Sequence, residues 1–257
     1  MTTDFKSKVV LVTGAGSGIG REAARIFARR GGFVYGADLN EKGLSETRSL
    51  VLNEGGQCEV VRVDVSVEDE VAALVRRIEQ ASKRLDVAFN NAGITGQAHR
   101  IEDYPTEDFD RVLRINLRSV FLAMKHELPL IKRGGGGTIC NTASVAAITG
   151  PGGMSAYAAS KHGVHGLTRV AAMENASHGI RINALAPGWT ETPMVIEASA
   201  RNPAFAKLAH TAIPAKRGGT PSEVAAAAVW LCSGESSYVF GQLLVVDGGM
   251  TIGGFEL

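Results

Sequence analysis

A chain of 257 residues, 45% apolar and 6% aromatic, is long enough to bury a large core packed from small side chains. A formal net charge of +1 and the lack of any long Lys/Arg run argue against nucleic acid or an anionic membrane surface as partner. Three widely spaced cysteines (Cys58, Cys140 and Cys232), with no CxxC or HxxxH spacing, point to a reducing compartment, no disulfide framework and no metal site.

No apolar run reaches the ~20 residues of a membrane span, and the N-terminus lacks a signal-peptide pattern, so a soluble cytoplasmic protein is expected. In chain order, residues 8–12 read as a buried strand and 21–30 as a helix; 33–37 and 41–54 repeat the pair, as do 58–63 and 68–82. A fourth strand at 86–90 precedes a long amphipathic helix over about 106–131, frayed at Pro129. Strand 138–142, a helix over 155–177, strand 180–185, a helix at 221–232 and a short strand at 243–246 complete the series. Alternating β and α elements with continuous apolar strands imply a parallel seven-stranded sheet covered on both faces, the doubly wound, Rossmann-type α/β architecture in a single domain over residues 1–257. Ligands of such sheets lie beyond the carboxyl ends of the strands. The one irregular insertion, about 193–219, reads as short helices forming a lid over substrate, or equally as a packed surface flap.

Thr13-Gly14-Ala15-Gly16-Ser17-Gly18-Ile19-Gly20 follows the first strand and opens the first helix, a context in which glycines let a pyrophosphate approach backbone amides at a positive helix end. The second strand ends at Asp38, whose carboxylate can accept from an adenosine ribose 2′-hydroxyl and would repel a 2′-phosphate. NAD rather than NADP is therefore expected, with helix capping as the bland alternative for Asp38. Arg21 and Lys42 are the nearby cations, and neither is aimed at that point by its spacing.

In the helix that begins at Ser155, Tyr157 and Lys161 stand four apart and share a face, with Ser144 thirteen positions before Tyr157. A phenol with a pKa near ~10 must lose about three units, roughly 4 kcal/mol, to exchange protons near neutrality. One cation about 4 Å away supplies that much at an effective dielectric near 20. By itself the pair is only a Tyr and a Lys on a helix.

The company it keeps decides the matter. TGxxxGxG at Thr13–Gly20, Asn90-Asn91-Ala92-Gly93, Asn116, Ser144, YxxxK at Tyr157–Lys161 and Pro187-Gly188 occur in the order and approximate spacing of the short-chain dehydrogenase/reductase family, which the sequence resembles from about Lys8 to Gly249. The resemblance implies that Tyr157 is the acid/base, that Ser144 orients the reacting oxygen, and that Lys161 lowers the Tyr157 pKa and holds the nicotinamide ribose. It further implies that Asn116 distorts the long helix and holds a water linking Lys161 to solvent. Gly14, Ser17, Gly18, Ile19, Gly20 and Asp38 would hold the adenosine and pyrophosphate, Asp64 and Val65 the adenine. Asn91, Ala92 and Gly93 would approach by backbone, and Pro187, Gly188, Thr190 and Thr192 would hold the nicotinamide end. Thr190 stands where many family members carry Ile or Val.

Hydride exchange between NAD and a secondary alcohol or ketone is the implied reaction, with an NADPH-dependent 3-oxoacyl reductase as the enzymatic alternative and a non-catalytic nicotinamide sensor as the other. The pocket is expected to comprise Ile94, Thr95, Gln97, Val145, Ala146, Met154, Trp189, Met194 and Val195. That set is mostly apolar and carries no arginine or lysine, which favours a small uncharged alcohol or ketone. A homotetramer is expected by resemblance, and the tail 250–257 is read either as closing a neighbouring active site or as inert.

Overall fold

The computed structural model describes residues 4–201, 211 and 213–252. The chain alternates β1 (Val9–Thr13), α1 (Gly18–Arg29), β2 (Phe33–Asp38), α2 (Glu41–Asn53), β3 (Gln57–Arg62), α3 (Glu68–Ser82) and β4 (Val87–Asn90). It continues through α4 (Thr106–Leu113), a π-turn (Arg114–Arg118), α5 (Ser119–Arg133), β5 (Gly137–Thr142), α6 (Ser155–Asn175) and β6 (Ile180–Pro187). Helices α7 (Pro193–Arg201) and α8 (Pro221–Cys232) and strand β7 (Leu243–Val246) follow.

The strands form one parallel sheet in the order β3-β2-β1-β4-β5-β6-β7. Side chains alternate across it: Val9 and Leu11 join the layer under α3, α5 and α6, while Val10 and Val12 join the layer under α1, α2 and α8. Both faces are therefore buried, and a central strand can be apolar at successive positions, as β1 is from Val9 to Val12. The order reverses between β1 and β4, so the loops after those two strands diverge and open a crevice at their carboxyl ends.

Two elements depart from the expected outline. The helix expected to fray at Pro129 runs on to Arg133, because Leu130 and Ile131 are fully buried beyond the proline and packing outweighs one lost backbone bond. The same long helix is interrupted at Arg114–Arg118, where the Ser119 amide donates five residues back to the Arg114 carbonyl. This is the distortion expected at Asn116.

The insertion expected over 193–219 is closed at its base. Glu191 N–H donates to the Gly219 carbonyl and Gly219 N–H to the Trp189 carbonyl, both at 2.9 Å. Beyond α7, residues 202–210 and 212 lie outside the described residues, as do 253–257 of the tail.

Candidate active site

The first turn of α1 begins at Gly18 behind Ser17, whose side chain makes no capping bond, so the amides at this helix end face the crevice. Gly14 (φ +68°) and Gly18 (φ +52°) take the left-handed conformations the turn requires. A Cβ at Gly20 would lie 2.1 Å from the Gly14 carbonyl oxygen. Gly20 thus serves the close packing of helix on loop and does not line the crevice, which corrects its assignment to the cofactor.

Asp38 closes this end. Its Oδ2 accepts Gly16 N–H and its Oδ1 accepts Asn40 N–H, each at 2.9 Å. The cap of α2 is Asn40, which accepts Gly43 N–H at 3.0 Å, so capping does not account for Asp38. Arg21 is turned away, donating to the Gly16 carbonyl, Thr47 and Glu46.

From β4, Thr13 Oγ1 accepts Asn91 N–H at 2.9 Å and Ala92 N–H at 3.2 Å, locking the Asn91–Gly93 segment to the end of β1. Asn116 is wholly buried; its amide grips Ile94, accepting N–H and donating to C=O, each at 2.8 Å, and donates to Ser160 Oγ at 3.2 Å. Ser160 in turn donates to the Tyr157 carbonyl at 2.7 Å, so one side chain in the π-turn ties the loop after β4 to α6. Gly93 sits between them: a Cβ there would lie 3.1 Å from Asn116 Oδ1 and 3.6 Å from Lys161 Nζ.

Tyr157 and Lys161 both reach the crevice, with Lys161 Nζ 5.6 Å from the Tyr157 ring centroid. Lys161 is buried and donates to the Thr142 carbonyl at 2.8 Å. Burial pushes its ammonium down to about 8. Burial also pushes the Tyr157 phenol up, and the Ser144 hydroxyl opposes that shift. The expected lowering of the phenol by Lys161 is not what acts here: burial raises it, the Ser144 hydroxyl is the opposing contact, and the ammonium is turned to a backbone carbonyl.

Gly14, Ser17, Gly18, Asp38, Asn91, Ala92, Gly93, Ser144, Tyr157 and Lys161 line one cavity of about 450 Å³. Asp64, Val65, Ile19, Pro187, Gly188, Thr190 and Thr192 line it too. Of the expected substrate residues, Ile94, Met194 and Val195 form its wall. Thr95, Gln97, Val145, Ala146, Met154 and Trp189 do not; Ala146 is buried in the core and Gln97 faces solvent. Asn116 stands behind the wall rather than in it.

The sequence reading missed Arg111 and Arg114, which line the cavity from α4 and the π-turn. The expectation of walls without arginine is therefore corrected. Arg111 is held by Asp108, which accepts from its Nε at 3.0 Å and Nη2 at 2.5 Å, and also from Gln97 N–H at 2.8 Å and the Tyr104 hydroxyl at 2.9 Å. Their spacing, three apart just ahead of Asn116, was the available signal.

The glycine cradle, the open helix end and the carboxylate at the end of β2 suit an elongated dinucleotide. The comparisons agree. A family model described as enoyl-(acyl carrier protein) reductase matches residues 14–251. Levodione reductase of Leifsonia aquatica is 41% identical over 97% of this chain and 96% of its own, and cyclohexanol dehydrogenase of an Acinetobacter species 39% over 98% of each. The crystal structure of levodione reductase superposes with a TM-score of 0.93 at 40% identity, covering 96% of this chain and 99% of the other. NAD+-bound xylitol dehydrogenase gives 0.92 at 32% identity, covering 95% and 99%. A gluconate 5-dehydrogenase structure from Beutenbergia cavernae, described with bound NADP, gives 0.92 at 34% identity, covering 98% and 100%.

Proposed function

We propose that this chain, which belongs to the short-chain dehydrogenase/reductase family, is an oxidoreductase that interconverts a secondary alcohol and a ketone, with NAD preferred over NADP. The observation that carries the reading is the single cavity that joins the glycine loop and Asp38 at one end to Ser144, Tyr157 and Lys161 at the other. A nicotinamide dinucleotide, when bound, supplies the hydride acceptor or donor. The chain's own residues handle the proton and the orientation. In oxidation the Tyr157 oxygen takes the carbinol proton while the Ser144 hydroxyl holds the substrate oxygen; in reduction the same phenol returns it. Lys161, which burial leaves protonated only up to about pH 8, offers its ammonium to the ribose hydroxyls.

Asp38 supports NAD, since its fixed carboxylate would face a 2′-phosphate. The wall is apolar at Ile94 and Val195, which supports an uncharged substrate, and the name of one relative puts cyclohexanol first in a panel. The reading takes the chain as one domain, places it in the cytoplasm on the strength of three buried free cysteines, and extends to a homotetramer by family.

The test follows nicotinamide absorbance with NAD or NADP across secondary alcohols and ketones, for wild type beside Tyr157→Phe. Turnover with NAD that falls by at least about a hundredfold in the variant, with NAD still bound, is expected. Near-normal turnover in the variant would remove Tyr157 from the chemistry.

A further inference from the structure

Behind the Asn91–Gly93 wall lies a polar cluster that the proposed chemistry does not use. Asn90, Glu127, Asn141 and Thr168, from β4, α5, β5 and α6, are all buried, Glu127 completely. Asn90 Nδ2 donates to Glu127 Oε2 at 3.1 Å and to Asn141 Oδ1 at 3.0 Å, which uses both of its hydrogens. Asn141 Nδ2 donates to Thr168 Oγ1 at 3.0 Å, and Thr168 to the Val164 carbonyl at 2.8 Å. Two oxygens of this cluster have no partner among the described residues: Asn90 Oδ1 and Glu127 Oε1.

Both residues line a small internal cavity of about 10 Å³, together with Thr13 and Ser119. That is at the lower limit, about 10–15 Å³ on this measure, for admitting one water, and a water needs two to four polar partners. Thr13 supplies another. Its Oγ1 already accepts the Asn91 and Ala92 amides, and its own hydrogen has no acceptor among the described bonds.

We propose that this cavity binds a single internal water, held by Glu127 Oε1, Asn90 Oδ1 and the Thr13 hydroxyl, and that Glu127 acts through it as a positioning residue for the Asn91–Gly93 wall. Among the described residues no other charged group lines this cavity beside Glu127: β1 presents Leu11 and Thr13, α3 presents Val71, Leu74 and Val75, β4 Asn90, and α5 its own Ser119, Val120 and Ala123. Burial pushes its carboxyl up to about 7, so below that pH Oε1 carries a proton. Oε1–H and the Thr13 hydroxyl then donate to the water, and the water donates to Asn90 Oδ1. Every orphaned oxygen acquires a partner, as buried polar groups require. The chain of bonds ends on the two amides that Thr13 holds in the cavity wall.

The test is a crystal structure of the unmodified full chain at a resolution that orders internal waters. Density within hydrogen-bond distance of Glu127 Oε1 and Asn90 Oδ1 is expected; a dry cavity overturns the site. Glu127→Gln, which keeps an acceptor for Asn90 and a donor for the water, should retain that density. Glu127→Leu should lose it and raise the Kd for NAD roughly threefold to tenfold, with Glu127→Gln within about twofold of wild type. An unchanged Kd in Glu127→Leu overturns the positioning role. The Kd comparison rests on the function proposed above and the density does not: wild type that fails to bind NAD would count against that function, while its density still decides the water site.

Discussion

Replacing Glu127 by Gln should change the pH dependence of stability across the neutral range. The carboxyl is wholly buried, its one described hydrogen bond comes from the neutral Asn90 amide, and burial pushes it from 4.5 up to about 7. A folded-state pKa above the unfolded one means that the protonated form is favoured by folding. Its contribution is intact below about pH 4.5 and is lost as pH rises through about 7. At roughly 1.4 kcal/mol per pH unit, the interval corresponds to about 3 kcal/mol lost between pH 4.5 and pH 8. Glutamine has the same shape and the same acceptor for Asn90, and it does not ionise. The variant should therefore match wild type near pH 4.5 and exceed it at pH 8 by about 3 kcal/mol, or roughly 6–12 °C in Tm for a chain of this size. Thermal and urea denaturation at fixed protein concentration, from pH 4.5 to 8, would read the difference. Curves that stay parallel across that range would refute the assignment of a neutral buried acid.

Two further expectations concern the cavity walls. Asp38→Ala should raise the Kd for NAD about tenfold and lower that for NADP, measured by fluorescence titration; equal changes in both would mark Asp38 as an anchor for Gly16 and Asn40 only. Asp108→Ala removes the acceptor shared by Gln97 N–H, Tyr104 and Arg111, so the loop before α4 should loosen and the KM for alcohol rise roughly tenfold, with the Kd for NAD within about twofold. A larger effect on NAD than on the alcohol would refute that placement.

The sheet was legible because strands such as β1, β4 and β7 are short apolar runs ended by a polar residue, and helices such as 68–82 and 221–232 begin and end where their patterns do. The glycine loop, Asp38 and the Tyr157–Lys161 spacing placed most of the cavity for the same reason: each occupies the end of a strand or one face of a helix. What failed was side-chain direction. Ala146 neighbours Ser144 in sequence yet points into the core, and Met154 precedes α6 without reaching the wall, because nearness along the chain does not fix the side on which a residue emerges. Arg111 and Arg114 were overlooked because a helix upstream of Asn116 read as scaffold. Glu127 left a signal that could have been read: it sits seven after Val120 and four before Ile131, on the buried stripe of α5, where a carboxylate is out of place.

The base of the segment that follows β6 carries a different consequence. Trp189, Glu191 and Gly219 are clasped by two backbone hydrogen bonds, so the chain leaves the sheet and returns to it at nearly one point. Thr190, Thr192, Met194 and Val195 line the cavity from just inside that clasp, whereas Ser144, Tyr157 and Lys161 belong to elements outside it. Because the cost of closing a loop grows only slowly with its length, residues inside the clasp can be exchanged, lengthened or shortened with little penalty to the sheet. Met194 and Val195 thus sit on a stretch of chain that can vary independently of the elements that carry Ser144, Tyr157 and Lys161. Exchanging that stretch would leave Ser144, Tyr157 and Lys161 on their own elements.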